Sequence, residues 1–255
     1  NLSGAKLEQT DFSRLKEFPN LLALNLTATN IQDRDLLEIN DLTELIELDL
    51  SETQITDDGI AALCLPQLKE LKLVGTSITG TAFEHLPRGL EELTLPKSVK
   101  DATLADLPDT LTGLVLHGDS LTDSGFTHLG KLNDLQRLNS DGHSITNKSI
   151  QVLSHLEKLV WFSSFSDQIT DEGISYLNGH KRLRFLYISH ASITDEGLDK
   201  LLKLPALKQL TLSGKDLTEK GLEKLLVWEK SRYSVGLFDL EDDWREKIEL
   251  LDRDE

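Results

Sequence analysis

The stretch Leu45-Ile46-Glu47-Leu48-Asp49-Leu50-Ser51-Glu52-Thr53-Gln54-Ile55-Thr56-Asp57-Asp58-Gly59-Ile60-Ala61-Ala62-Leu63 carries two periods. Leu48-Asp49-Leu50 alternates as a short strand with one inward face does, whereas Ile60 and Leu63 follow at helical spacing. The unit reads as strand, turn and short helix. Thr56, ahead of the acidic pair, suits an N-cap whose hydroxyl meets an orphan backbone N–H. Asp57 and Asp58 then lie at the positive end of the helix dipole.

The same phrase recurs on both sides of this stretch. The pattern L-x-x-L-x-L-x-x-T-x-I fits Leu21, Leu24, Leu26, Thr29 and Ile31, and again Leu68, Leu71, Leu73, Thr76 and Ile78. Later copies open at Leu90, Leu111, Leu135, Leu159, Leu183 and Leu207, giving nine copies spaced 21 to 24 residues apart. The T-D-x-G phrase returns at Thr170-Asp171-Glu172-Gly173 and Thr194-Asp195-Glu196-Gly197. One copy alone cannot bury its leucines, but stacked copies can, with strands about 4.8 Å apart. The expected fold is an α/β solenoid with a curved parallel sheet on its concave face and short helices on its convex face.

These phrases resemble those of leucine-rich-repeat proteins. The form T-x-I/L-T-D-x-G-I/L is similar to ribonuclease-inhibitor-like and F-box-type repeats and to their bacterial relatives. The resemblance covers about residues 21 to 226 and implies a leucine-rich-repeat solenoid, a scaffold that serves many partners. The chain departs from the pattern at the ninth place of each copy. Thr29, Thr53 and Thr76 stand there early on, followed by Ser98, Asp119, His143, Asp167, Ala191 and Lys215, so the side-chain ladder under the loops is expected to be irregular. The copy opening at Leu90 is short and carries Pro96, which points to a local distortion.

The ends of such a sheet need covering. Residues 1–20 read as a degenerate first repeat or N-terminal cap, with Leu2, Leu7, Phe12, Leu15 and Phe18 as apolar contacts. Residues 227–255 read as a C-terminal cap. Tyr233, Val235 and Leu237 form its last strand, and 239–251 form a helix with Trp244, Ile248 and Leu251 on one face. With the repeats at 21–226, the whole makes one solenoid domain.

Composition narrows the function. The 255 residues hold 27 Lys and Arg against 44 Asp and Glu, a formal net charge of -17. Nucleic acids and anionic membranes attract the opposite sign of charge, so neither is an expected partner. No stretch approaches the roughly 18 uninterrupted apolar residues of a spanning helix, so no membrane insertion is expected. The chain begins at Asn1 and contains no Met, which reads as a processed or trimmed product. A single cysteine and no cysteine-rich caps lean toward the cytoplasm, with a bacterial surface setting left open. The protein is expected to be monomeric.

Motifs for chemistry are missing. The sequence lacks the zinc-binding H-E-x-x-H, the nucleophile elbow G-x-S-x-G and the glycine loops that cradle phosphates. The repeated Asp-x-Gly supplies too few oxygens for a calcium loop, so capping explains it better. Cys64, between Leu63 and Leu65, reads as a packed thiol. Of the seven histidines, His117 and His190 fall on the inner surface three repeats apart. That separation is about 14 Å by strand spacing, too far for a shared metal. Neither catalytic residues nor a cofactor nor a metal is expected.

The informative list is what points out of the concave sheet, since neighbouring strand residues face opposite ways. Early copies supply acids: Glu47, Asp49, Glu52, Glu70 and Glu92. Middle copies supply His117, Arg137, Asn139 and Asp141, and late copies Trp161, Phe165, Phe185, Tyr187 and His190. Only 5 % of the chain is aromatic, so four aromatics on two adjacent strands form a cluster. Ringed by Arg137, Asp141 and His190, the cluster has the make-up of a binding hot spot with a polar rim. The competing reading starts from Ser140 and Ser164, which stand in leucine places. Room left there would let a shifted register turn Trp161 or Phe165 inward.

Three functions fit. The first is a scaffold that binds a protein or peptide through the concave sheet, steered by the acidic stretch if the partner is basic. The second is the substrate-recognition portion of a larger ligase, effector or GTPase-activating protein. The third is a secreted or cell-surface adhesion module.

Overall fold

In each copy the alternation of one strand decides which side chains face the core, and the parallel pairing repeats that decision from copy to copy. The computed structural model describes residues 1–8, 14–118, 120–142, 144–232 and 234–238. Its strands are β1 (Ala23–Asn25), β2 (Glu47–Asp49), β3 (Glu70–Lys72), β4 (Glu92–Thr94) and β5 (Gly113–Leu116), followed by β6 (Arg137–Ser140), β7 (Trp161–Ser164), β8 (Phe185–Ile188), β9 (Gln209–Ser213) and β10 (Ser234–Phe238). They lie side by side in chain order as one ten-stranded sheet, parallel at every pairing. The register keeps the leucines in line, with Leu48 opposite Leu71, Leu93 opposite Leu114 and Leu138 opposite Phe162. This column is buried from Leu24 through Leu210.

The return path of each copy is a short helix or 3-10 turn. Helices at Asp57–Ala62, Asp123–Leu129, Asn147–Leu153 and Asp195–Leu201 start on Thr56, Thr122, Thr146 and Thr194. Each of these threonines accepts a hydrogen bond from the N–H two residues on. The acids after the threonine do more than meet a helix dipole. Asp123 accepts from the backbone N–H of Thr146 at 2.9 Å and from its hydroxyl at 2.7 Å, and Ser149 adds its own N–H and hydroxyl. Asp57 grips Thr79, Asp171 grips Thr194 and Asp195 grips Thr218 in the same way. The Asp of one copy thus clasps the Thr of the next. The Gly of the phrase clears the space, because a Cβ on Gly197 or Gly221 would strike Oδ1 of the clasping Asp171 or Asp195.

Among the described residues the clasp fails once, and both sides of the failure fit each other. Gly80 stands where most copies have Asp and one has Asn147, which clasps Thr170, and the copy after Gly80 carries Lys100 for Thr and Thr103 for Gly. The side chain of Thr103 occupies the space that a Cβ on Gly80 would need. These two copies return through 3-10 turns, Phe83–His85 and Asp101–Asp106, in place of α-helices. The distortion expected at the Leu90 copy is therefore on the convex side, while Pro96 is buried and β4 keeps register with β5.

The ladder under the loops is partly kept. Thr29, Thr53 and Thr76 are buried and donate to the carbonyls of Leu26, Leu50 and Leu73 at 2.5–2.8 Å. Asp119 and His143 lie outside the described residues.

At the first end, Leu2 and Gly4 donate backbone N–H groups to Asn25 and Thr27, so residues before β1 line its edge. Leu7 and Leu15 are buried, whereas Phe18 is 57 % exposed and is not the apolar contact the sequence suggested. It occupies the place that Leu42 holds in the next copy. Phe12 lies outside the described residues. At the other end, β10 extends the sheet with Val235 and Leu237 partly buried against the core. The helix Glu219–Arg232 runs through residues 226 and 227, and Tyr233 and 239–255 lie outside the described residues.

Cys64 is exposed, against expectation. The helix before it ends at Ala62 and the chain extends through Leu63, so Leu63 and Leu65 turn inward and the residue between them turns out. Its backbone N–H donates to Asn40 Oδ1 at 2.7 Å.

The concave sheet as a candidate binding face

Two rows of side chains leave the sheet on its concave side. Pairing sets the first as Glu47, Glu70, Glu92, Gly113, Arg137, Trp161, Phe185 and Gln209, and the second as Asp49, Lys72, Thr94, Val115, Asn139, Ser163, Tyr187 and Thr211. Acids therefore occupy β2 to β4 and aromatics β7 to β8. Trp161 and Tyr187 meet with ring centroids 5.7 Å apart and planes tilted by 49°. Phe185 stands directly opposite Trp161, and all three rings are half-buried. Phe165, just past β7, is 39 % exposed.

The inward alternative does not occur. The register through β6, β7 and β8 is unshifted, and the ring that enters the core is Phe162, which replaces a leucine and is fully buried. Ser140 and Ser164 are buried in their leucine places, and the Ser164 hydroxyl has no hydrogen-bond partner.

The polar residues around the aromatics are held in pairs. Arg137 reaches back across Gly113 to form an ion pair with Glu92, whose Oε1 also accepts from the Thr112 hydroxyl at 3.0 Å. Gly113 permits this, since a Cβ there would collide with the Glu92 carboxylate. His117 Nδ1 lies 2.7 Å from Asp141 Oδ2, and the Gly118 N–H donates to the other Asp141 oxygen at 2.8 Å. His190 is exposed and adopts a left-handed backbone, φ 66°, as do Ala28 and Glu52 at the same place in their copies. Sequence reasoning found Arg137, Asp141 and His117 singly. It did not show that they pair, because Glu92 lies two strands from Arg137 and Asp141 one copy from His117, and a list read copy by copy does not show contacts across copies.

The acidic end holds a cation of its own. Lys72 Nζ is 2.7 Å from Glu70, which raises the lysine pKa most. Burial opposes that rise, and the charges of Asp49 and Glu47 add to it. Among the described residues, no group of three His, Cys, Asp or Glu side chains is placed to hold a metal ion, and no helix is long and apolar enough to cross a membrane.

A stack of leucine-lined strand and helix units with one open curved sheet defines the class: the chain is a leucine-rich-repeat protein. Residues 42–64 and 181–202 match the family model described as Leucine Rich repeat. Among solved structures it is similar to an internalin (inlF) from Listeria monocytogenes, at 21% identity and a TM-score of 0.61 over 90% of this chain and 77% of that one. It is also similar to internalin C2 (inlC2) from the same organism, at 23% identity and a TM-score of 0.51 over 91% and 84%. These likenesses establish the fold. No curated protein matches by sequence.

Proposed function

We propose that the protein is a binding scaffold that takes a protein or peptide partner on its concave sheet. The observation that carries this reading is the gathering of Trp161, Phe185 and Tyr187 on the open face of two adjacent strands. Large rings left half-exposed on a rigid sheet lose little conformational freedom on binding, and they supply most of the energy in protein interfaces. Phe165 extends the patch, with the Arg137–Glu92 and His117–Asp141 pairs and His190 at its rim. The surplus acid on β2 and β3 favours a partner of basic character and adds a salt-sensitive association rate.

The test is a pair of variants. Trp161→Ala with Tyr187→Ala should lose partner capture at least tenfold while circular dichroism and thermal unfolding stay close to wild type. Gln151→Ala, exposed on a convex helix, should leave capture unchanged. Equal capture by the concave double variant would overturn the reading.

A further inference from the structure

We infer that the partner recognised here is bipartite, presenting one Trp or Tyr side chain to a socket over Gly113 and a lysine- or arginine-rich stretch about five residues away to Glu47 and Asp49. This inference rests on the concave-face reading and adds to it the chemistry and spacing of the ligand.

The socket comes from a missing side chain. In the row Glu92, Gly113, Arg137, Trp161, the glycine leaves a gap, and a depression of about 410 Å³ opens there. Val115, Trp161 and Phe185 give it apolar walls, and the Glu92–Arg137 pair closes one side with no net charge. Its size suits one large ring, and aromatic rings gain from the faces of Trp161 and Phe185. Asn139 also lines the depression, and its buried Oδ1 has no hydrogen-bond partner. Turning that carboxamide about its Cβ–Cγ bond would offer the oxygen to an indole N–H or a phenol O–H. Relieving an unmet buried acceptor favours Trp or Tyr over Phe or Leu.

The charged half is set by what the sheet has already neutralised. Within the two concave rows, Lys72 is paired to Glu70 and Arg137 to Glu92, which leaves Glu47 and Asp49 in excess. Among the described residues, Asp49 accepts from neutral donors, the Asn25 carboxamide at 3.3 Å and the Ser51 N–H at 3.0 Å. A cationic arm meets that excess without displacing an existing pair. A second copy of this chain does not suit the face, since it brings the same acids and a net charge of -17.

Spacing follows from the strands. From β2 to the socket between β5 and β6 is three to four strand steps, about 14–19 Å at 4.8 Å each. An extended chain advances about 3.3 Å per residue, so four to six residues separate the cations from the ring.

The probes are fluorescein-labelled synthetic peptides that carry three lysines, a five-residue Gly/Ser spacer and one Trp, made in both chain directions. Controls replace Lys by Glu, replace Trp by Ala, or shorten the spacer to one residue. Fluorescence polarisation should show one direction binding at least tenfold more tightly than every control. That margin should vanish in Gly113→Leu, which fills the socket, and in Glu47→Lys with Asp49→Lys. Trp161→Ala serves as the second socket variant should Gly113→Leu not fold. Equal binding of the Trp-only or Lys-only peptide, indifference to the spacer, or no binding by any peptide would overturn the bipartite reading. The broader concave-face reading stands or falls separately, on partner capture by the Trp161→Ala and Tyr187→Ala protein.

Discussion

Asp123 gathers four hydrogen bonds from the copy that follows it, and it shows what a single residue adds to a stack. Burial acts to raise its pKa, but the Ser149 and Thr146 donors outweigh burial and hold the carboxyl below its usual value. Asp57 is lowered in the same way by the Thr79, Gly80 and Ala82 donors. A depressed carboxylate pKa contributes stability that is in place above the ordinary value near 3.9, and this stability is lost as pH falls through the lower folded value. Asp123→Ala should therefore cost about 1–3 kcal/mol at pH 7 through its stranded donors. The difference from wild type should shrink below about pH 3 as the carboxyl protonates, and urea unfolding at the two pH values measures it. The sequence showed Asp57 as a helix-start residue but not as a clasp, because its second partner, Thr79, lies 22 residues further on.

At the scale of elements, the place three residues before the opening leucine is a core place in most copies. Leu42, Leu132, Leu156 and Leu204 fill it, and in one copy His180 does. The ring is 2 % exposed at the end of the 3-10 turn Tyr176–Gly179, with neither nitrogen hydrogen-bonded. Burial lowers its pKa, and the neighbouring Leu153 backbone and Glu157 charge offset this only in part. The unfolded chain protonates first as pH drops below about 6.5, so stability should fall from there toward the lower folded value, by at most about 1.4 kcal/mol per pH unit. His180→Leu should remove that slope and be at least as stable at pH 7, as read from unfolding midpoints between pH 7 and 5. Strand β7 was more legible. Alternation alone places Trp161 outward and Phe162 inward. The sequence could not show whether buried Ser140 and Ser164 would shift the strand, since that depends on how Phe162 packs against its neighbours.

Across the whole molecule, the period of Leu, Thr and Gly was enough to reveal the solenoid, because each copy touches only its neighbours and the same local solution serves every time. The socket over Gly113 was not legible, since it needs Gly113, Glu92 and Arg137 from three different strands. The same nearest-neighbour design governs how damage spreads. Phe162→Ala removes a fully buried ring from the middle of the stack and should cost about 3–5 kcal/mol. In a domain with one global core that loss would speed exchange everywhere. Here the contacts of β7 run to β6 and β8, and the clasps likewise join adjacent copies. Hydrogen exchange should therefore rise most in β6 to β8 and least in β1 to β3, which lie beyond the junction of the β3 and β4 copies, where Gly80 supplies no clasp. Uniform loss of protection along all ten strands would mean that the stack unfolds as one unit, and that the concave rows are held rigid by the whole coil rather than by their immediate neighbours.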